Sequence, residues 1–250
     1  MAASAPLFMA RRAPPPGGSA RFVPNVVQTR TFVGKLLAVV VCVVVSTASL
    51  AVMNGATTKK IPKVVKHYSV WVAAPPHSSA LAMHRRAVDE SAKKLGTPSF
   101  APHVTLFALV QGLEADVLGA AQRVARRTKP FEVRFNEVSR GEQYFQCVYL
   151  LAEKTPELMD AHANMKAEMA KVGKVELPNA DGYMPHLSLV YGHLSERDRE
   201  SARSAIASSY PGLIGPEGGF VAAGVTVHET DPLDTSMRSW RTLAELPFEG

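Results

Sequence analysis

Two short segments of the chain place a histidine two residues before a hydroxyl side chain inside an apolar run. They are Pro102-His103-Val104-Thr105-Leu106 and Pro185-His186-Leu187-Ser188-Leu189. On a β-strand, residues i and i+2 point to the same face, roughly 6.5–7 Å apart along the strand. Each segment therefore presents an imidazole beside a hydroxyl on a rigid surface. Two such pairs facing one cleft would supply two titrating groups and two neutral hydrogen-bond donors, a set suited to in-line attack on a phosphodiester.

The loose pattern of a histidine followed two residues later by Ser or Thr is common in this chain, since six of the eight histidines carry it. Only the segments at His103 and His186 also have a preceding proline and apolar residues after the histidine and after the hydroxyl. His67-Tyr68-Ser69-Val70 lacks only the proline. A single copy would be read as a strand histidine satisfied inside the core. Two matching copies favour the chemical interpretation.

The residues around these motifs extend the similarity to a known family. Four segments carry it: Tyr68-Ser69-Val70-Trp71, Phe100 to Thr105, Tyr144 to Leu151, and Tyr183 to Tyr191. Together with Thr230-Asp231 and Ser239-Trp240, they resemble the 2H phosphoesterase superfamily, and within it most closely the plant-type cyclic phosphodiesterases. The resemblance runs from about residue 67 to residue 249.

The resemblance implies both a fold and a set of roles. The fold is a bilobal α+β domain, with two pseudo-symmetric lobes around a central cleft and one motif strand in each lobe. By resemblance, His103 and His186 form a metal-independent acid/base pair, and Thr105 and Ser188 donate hydrogen bonds to the non-bridging phosphate oxygens. Which histidine is the acid and which the base stays open. No metal and no cofactor is expected.

Three aromatic residues are candidates for binding substrate. The resemblance places Tyr191 near the phosphate, although strict alternation from His186 would point it away from the cleft. Trp71 and Tyr144 are candidates for stacking on a base, with a role as core aromatics as the competing interpretation. Four other histidines are expected on exposed helices and loops: His77, His84, His162 and His193.

From residue 67 onward, the pattern predicts a mixture of strands and helices. Strands are predicted at 67–73, 102–110, 131–139, 144–152, 186–191, 219–229 and 238–246, and helices at 79–95, 114–127, 156–171 and from 195. Thr155-Pro156 predicts a helix start because Thr is a good N-cap and Pro suits the first helical position. Ser195 with Asp198 predicts another. Each motif strand precedes a helix, which favours two similar halves.

The basic charge is concentrated in the first 66 residues, which hold nine Lys and Arg and no acid. Subtracting those nine from the 28 in the chain leaves 19 against 22 acidic residues, so residues 67–250 carry a formal charge of −3. A general nucleic-acid-binding surface needs a basic domain. We therefore expect no nucleic-acid polymer as a partner.

The N-terminal segments predict targeting and attachment. Residues 1–31 are predicted to be a disordered basic leader, which resembles an organellar transit peptide. Residues 32–53, which include an uncharged run over 36–53, are predicted to form a transmembrane anchor. Residues 54–66 are predicted to be a basic linker to the cyclic phosphodiesterase domain at 67–250. We expect a single-pass protein with the membrane as partner through residues 36–53, in a mitochondrion or plastid. A cleaved targeting segment that leaves a soluble protein is the alternative.

The expected function is hydrolysis of a ribose cyclic phosphate to a phosphomonoester. The small-nucleotide substrate would be ADP-ribose 1″,2″-cyclic phosphate or a nucleoside 2′,3′-cyclic phosphate. One alternative is an RNA-end or 2′-5′-oligonucleotide phosphodiesterase of the same superfamily, against which the acidic domain argues. Another is a non-catalytic, membrane-tethered nucleotide-binding protein, which would predict damaged motifs. The sequence gives no indication of the oligomeric state.

Overall fold

The structure is a computed structural model that describes residues 66–175 and 182–250. The predicted leader, the apolar segment at 32–53 and the linker up to residue 65 lie outside the described residues. The described residues include both motifs.

The prediction of a single-pass membrane protein is corrected. None of the helices in residues 66–175 and 182–250 is long and apolar enough to cross a membrane. The prediction rested on the uncharged run at 36–53, which lies outside those ranges.

Four α-helices lie where the sequence predicts them. They are α1 (Ser79–Leu95), α2 (Glu114–Ala125), α3 (Pro156–Met169) and α4 (Glu196–Ser209). The predicted caps are present, since Thr155 accepts a hydrogen bond from the backbone N–H of Leu158, and Ser195 accepts one from that of Asp198. These bonds satisfy donors that the first helical turn leaves open.

Ten strands form the rest of the described fold. They are β1 (His67–Val72), β2 (Val104–Gly112), β3 (Phe131–Val133), β4 (Phe135–Arg140), β5 (Val148–Ala152), β6 (Gly173–Val175), β7 (His186–Val190), β8 (Phe220–Ala222), β9 (Gly224–Glu229) and β10 (Arg241–Pro247). Eight of them make one sheet in the order β10-β9-β1-β2-β7-β5-β4, with β6 also paired to β2. β3 and β8 form a separate two-stranded sheet. The prediction of an α+β fold is confirmed.

The large sheet divides into two halves at the junction of β2 and β7. These strands are antiparallel and share a single paired position, Val104 with Leu187. Helices α2 and α3 pack on the half that contains β2, β9 and β10, whereas α1 and α4 pack on the half that contains β7, β5 and β4. Each half thus has its own layer of two helices, and the two motif strands meet where the halves join.

Several predictions of local structure need correction. The strand predicted at 144–152 starts only at Val148, because Tyr144–Gln146 forms a turn of 3-10 helix. The strands predicted at 131–139 and 219–229 each split in two, and the first piece of each belongs to the small sheet. His84, expected on an exposed surface, is fully buried and contacts the carbonyl of Gly218 through Nε2 at 2.8 Å. For the two split strands, the hydrophobic pattern does not show which sheet each piece joins.

Candidate active site

The two motifs are brought together at the midpoint of each. The paired residues Val104 and Leu187 are the central residues of the two His-x-Ser/Thr sequences, and both are fully buried in the core. Extending this antiparallel register by one residue sets His103 opposite Ser188 and Thr105 opposite His186, all on the face away from the core. Directly opposed residues have Cβ atoms roughly 4.5–5.5 Å apart, and diagonal neighbours roughly 7–8 Å. The two imidazoles therefore occupy one diagonal of a four-residue square, and the two hydroxyls occupy the other.

The same local hydrogen bond anchors each imidazole. Nδ1 of His103 lies 2.7 Å from the carbonyl oxygen of Ala101, and Nδ1 of His186 lies 2.9 Å from that of Met184. A carbonyl can only accept, so Nδ1 carries the proton in both rings. This tautomer leaves Nε2 as the nitrogen that can take or deliver a proton.

His103 is the more deeply enclosed of the two histidines. Its side chain is 6 % exposed, and its ring stacks on the indole of Trp71, with centroids 3.6 Å apart and planes 9° apart. Burial, with smaller contributions from His228 and His186, lowers the pKa of His103 to about 3, although the hydrogen bond to Ala101 raises it. The neutral imidazole is therefore the stable form at neutral pH.

His186 is half-buried and contacts Tyr149 edge to face, with ring centroids 5.2 Å apart. Burial lowers its pKa below the usual range for histidine, against the hydrogen bond to Met184, which raises it. The partly exposed ring of His186 is less desolvated than that of His103, so it is the easier of the two to protonate.

The two motif hydroxyls differ in their partners. Ser188 donates to the carbonyl oxygen of Phe145 at 2.8 Å. Thr105 is half-buried and lines the cavity, and within residues 66–175 and 182–250 its hydroxyl has no hydrogen-bond partner. The Thr105 proton is thus free to point at a bound anion, whereas the Ser188 proton is already engaged.

These side chains line a cavity of about 240 Å³. Its walls come from both halves of the sheet and from the loops around them. The lining residues are Ser69, Trp71, His103, Thr105, Ala108, Leu109, Gln143, Phe145, Gln146, His186, Ser188, Tyr191, Thr230, Pro232 and Trp240. Among these described residues there is no Lys, Arg, Asp or Glu. An anion in this cavity would be held by hydroxyls and imidazoles.

Tyr191 lines the cavity, contrary to what strict alternation indicates. It lies one residue beyond the end of β7, so the period of two no longer applies to it. Its ring is 3 % exposed and stacks on Phe100 at 3.7 Å. Burial raises the pKa of its phenol, although a hydrogen bond with Ser188 opposes this shift, and Tyr191 is therefore a neutral donor.

Trp71 and Tyr144, the two residues considered for stacking on a base, differ in their surroundings. Trp71 lines the cavity, but its two faces are covered by the rings of His103 and His228 at 3.6 Å each. Tyr144 is not part of the described lining, and its hydroxyl donates to the carbonyl oxygen of Thr235 at 3.0 Å. Neither ring offers the cavity an open face on which a base could stack.

Other lining residues were not predicted from the sequence. Ala108 and Leu109 sit at an irregularity in the β1–β2 pairing, and Leu109 adopts a positive φ of 60°. A bulge of this kind re-aims side chains and is frequent beside functional sites. Phe145 and Gln146 enter through the 3-10 turn. A Gly or a Pro would have indicated such breaks, but residues 107–111 and 144–152 contain neither.

A second cavity of about 170 Å³ adjoins the first and shares Thr105, Ala108 and His186 with it. Its wall includes the ring pair of His162 and Tyr183, whose centroids lie 3.7 Å apart. Lys166 is the one Lys or Arg among its described lining residues. The two motifs thus border a larger, two-part space.

Comparison with known proteins agrees with the fold. A family described as cyclic phosphodiesterase-like protein matches residues 67–243. A cyclic phosphodiesterase of Arabidopsis thaliana is 28% identical over 180 residues, covering 71% of this chain and 92% of that protein. The crystal structure of E. coli LigT complexed with 3′-AMP has a TM-score of 0.50 and 14% identity, and the match covers 74% of this chain and 99% of that chain. At that identity LigT shows the fold alone.

The fold and the paired motifs define an enzyme of the 2H phosphoesterase superfamily. The chain belongs to the cyclic phosphodiesterase-like family of that superfamily. The resemblance noted from the sequence is therefore confirmed, and the non-catalytic alternative is set aside.

Proposed function

We propose that this cyclic phosphodiesterase hydrolyses a five-membered ribose cyclic phosphate to a phosphomonoester with His103 and His186 as its acid/base pair. The substrate is ADP-ribose 1″,2″-cyclic phosphate or a nucleoside 2′,3′-cyclic phosphate. The observation that carries the proposal is the antiparallel pairing of Val104 with Leu187, which sets each imidazole opposite the other motif's hydroxyl on one cavity wall.

In this reaction, the oxygen of a water molecule bonds to phosphorus while one ribose oxygen leaves. One neutral Nε2 takes the proton of the water, and the protonated ring of the other histidine gives its proton to the leaving oxygen. The two rings lie on a diagonal, so they can act on opposite sides of a phosphate held between them. The greater burial of His103 suits the base, and the more exposed His186 suits the acid.

The neutral groups of the cavity would hold the phosphate. The Thr105 hydroxyl has no partner within the described residues, and Tyr191 is a buried neutral phenol beside Ser188. Both can donate to non-bridging oxygens, on which negative charge builds in the transition state. A cyclic phosphate carries one negative charge, which a single imidazolium balances.

The absence of Lys and Arg from the described lining of the first cavity favours a small nucleotide over an oligonucleotide. A polymer needs basic residues along the path of its backbone, whereas residues 67–250 carry a formal charge of −3. The complex of E. coli LigT with 3′-AMP, a small nucleotide, supports the same choice.

The second cavity supports ADP-ribose 1″,2″-cyclic phosphate as the preferred substrate. Each cavity is smaller than the ~300 Å³ at which typical ligand sites begin, but together they exceed it. A nucleoside cyclic phosphate needs only the first space and part of the second. ADP-ribose carries a diphosphate, which Lys166 could neutralise.

The test is turnover by the purified full-length protein, treated with EDTA, on 2′,3′-cyclic AMP and on ADP-ribose 1″,2″-cyclic phosphate. We expect His103→Ala and His186→Ala each to lower kcat/KM by about 10³-fold, as is typical for loss of an acid or base. His193→Ala is the matched control, because His193 also precedes a serine by two residues but is exposed and outside the described cavity lining. Activity that survives either motif substitution would sink the two-histidine proposal.

The choice of substrate is tested separately with Lys166→Ala. We expect it to raise KM for ADP-ribose 1″,2″-cyclic phosphate about fivefold or more and to leave 2′,3′-cyclic AMP unaffected, since a lysine near phosphate acts as a point charge. Equal effects on both substrates would contradict this preference. Turnover of oligonucleotides but of neither small substrate would favour the RNA-end alternative.

The bilobal arrangement with pseudo-symmetric lobes and the domain boundary at residue 67 belong to the same proposal. Support comes from the single pairing between β2 and β7 and from the separate helix pair on each half. In both motifs, Nδ1 of the histidine bonds to the carbonyl oxygen two residues upstream, and this repetition also supports two similar lobes.

A further inference from the structure

A third histidine, outside the two motifs, stacks behind the catalytic site. The ring of His228 lies on one face of Trp71, with centroids 3.6 Å apart and planes 22° apart, while His103 lies on the other face at 3.6 Å and 9°. The sheet explains this arrangement. Trp71 pairs with Thr226 on β9 and with Thr105 on β2, so His228 and His103 are its diagonal neighbours on opposite sides. The three rings cross three adjacent strands on one face.

The catalytic ring needs more than one constraint. The hydrogen bond from Nδ1 of His103 to Ala101 fixes one atom but leaves the ring free to turn about that bond. The flat contact with Trp71 removes this freedom and fixes the plane in which Nε2 lies. The indole can do so only if its own far face is supported, because an unsupported ring would tilt into the space behind it.

His228 is itself held firmly. It is 9 % exposed, its Nε2 lies 2.8 Å from the hydroxyl of Thr226, and its Nδ1 lies 3.3 Å from that of Thr242. A hydroxyl can either donate or accept, so both contacts suit a neutral imidazole. His228 does not line the described cavity. Its ring thus provides a rigid surface without a contact to substrate.

We propose that His228 is a positioning residue, which acts through Trp71 to hold the imidazole of His103 in the plane that the reaction requires. This rests on the proposed role of His103. Misplacing a reacting group by about 1 Å can cost as much as 10²-fold in rate. Loss of the support behind Trp71 lowers kcat and leaves KM for the cyclic phosphate nearly unchanged.

The test compares two substitutions of similar size in the full-length protein. His228→Phe keeps a flat ring and loses the bonds to the threonines, whereas His228→Gln keeps polar contacts and loses the ring. We expect His228→Phe to retain kcat within about twofold and His228→Gln to lower it roughly tenfold, with KM changed less than twofold for both. The reverse order, or unchanged kcat in a folded His228→Gln protein, would overturn the proposal.

A double-mutant cycle tests whether the effect passes through Trp71. In a Trp71→Leu background, His228→Gln should lower kcat no further than about twofold, because no indole remains to be supported. A full tenfold loss in that background would show that His228 acts by another route and would overturn the proposal. His103→Ala, assayed alongside, separates the two hypotheses. If His103→Ala retains activity, the proposed two-histidine mechanism is wrong. If His103→Ala loses activity and His228→Gln does not, only the proposed positioning role of His228 is wrong.

Discussion

The two His-x-Ser/Thr pairs share a backbone arrangement but not an environment. Both imidazoles donate Nδ1–H to the carbonyl two residues upstream. His103 then lies flat against an indole and is buried, whereas His186 meets Tyr149 edge to face and stays partly exposed. The hydroxyls differ in the opposite sense, since Thr105 has no hydrogen-bond partner among the described residues and Ser188 is bonded to Phe145. The repeated motif thus gives both copies the same backbone geometry, and their neighbours give each copy a different environment.

The hydroxyls should show the largest difference between the two pairs. We expect Thr105→Val, which keeps the shape of the side chain, to lower kcat about 10²-fold, as loss of a transition-state donor does. Ser188→Ala should cost only about tenfold, because the Ser188 proton is already donated to the carbonyl oxygen of Phe145. Steady-state kinetics on 2′,3′-cyclic AMP measures both. Equal losses would mean that the Ser188 hydroxyl turns toward the substrate when it binds.

The pH dependence of kcat/KM should reflect the lowered pKa values of both histidines. The proposed mechanism needs one ring neutral and the other protonated. Burial lowers the pKa of His103 to about 3 and that of His186 below its usual range. The form with one neutral and one protonated imidazole is therefore populated on the acid side of neutrality. We expect kcat/KM to fall at least about tenfold from pH 6 to pH 8. A profile that rises over this interval would contradict the lowered pKa of both rings.

The stability of the fold should also depend on pH more through His103 than through His186. Between the unfolded value of about 6.5 and the folded value of about 3, the unfolded chain binds a proton that buried His103 does not. Stability contributed by the neutral ring is therefore present above pH 6.5 and is lost as the pH falls through this window.

Denaturant unfolding of the wild-type protein, His103→Asn and His186→Asn at pH 7.5 and pH 5 tests this difference. His103→Asn should reduce the dependence of the unfolding free energy on pH by up to about 1.4 kcal/mol per pH unit. His186→Asn should reduce it less, because the ring of His186 is more exposed. A larger reduction in His186→Asn would reverse the inferred order of desolvation.

The smallest effect should come from Tyr144. Its hydroxyl bonds to the carbonyl of Thr235 and the residue is not part of the described cavity lining. We expect Tyr144→Phe to change KM and kcat by less than twofold on either substrate, as surface hydrogen bonds contribute little. A KM increase of fivefold or more would instead place Tyr144 in contact with the substrate.

Much of the local structure could be predicted from the sequence. The helices at 79–95 and 114–125, the caps at Thr155 and Ser195, and both motif strands follow from periodicity and from capping residues. These features depend on contacts within a few residues, which a linear pattern records. The strand breaks at Arg134 and Ala223 could not be predicted, because they depend on which sheet each piece joins.

The sequence by itself determined which chemical groups are available, since it supplied two imidazoles and two hydroxyls at a spacing that puts each pair on one strand face. Only the tertiary structure decided how these groups are arranged. The pairing of Val104 with Leu187 opposes the motifs, the end of β7 turns Tyr191 into the cavity, and the pairing of β1 with β9 stacks His228 behind Trp71. The physical reason is that each of these contacts joins residues far apart in the chain. Their register is set by the packing of the whole sheet and not by any local preference.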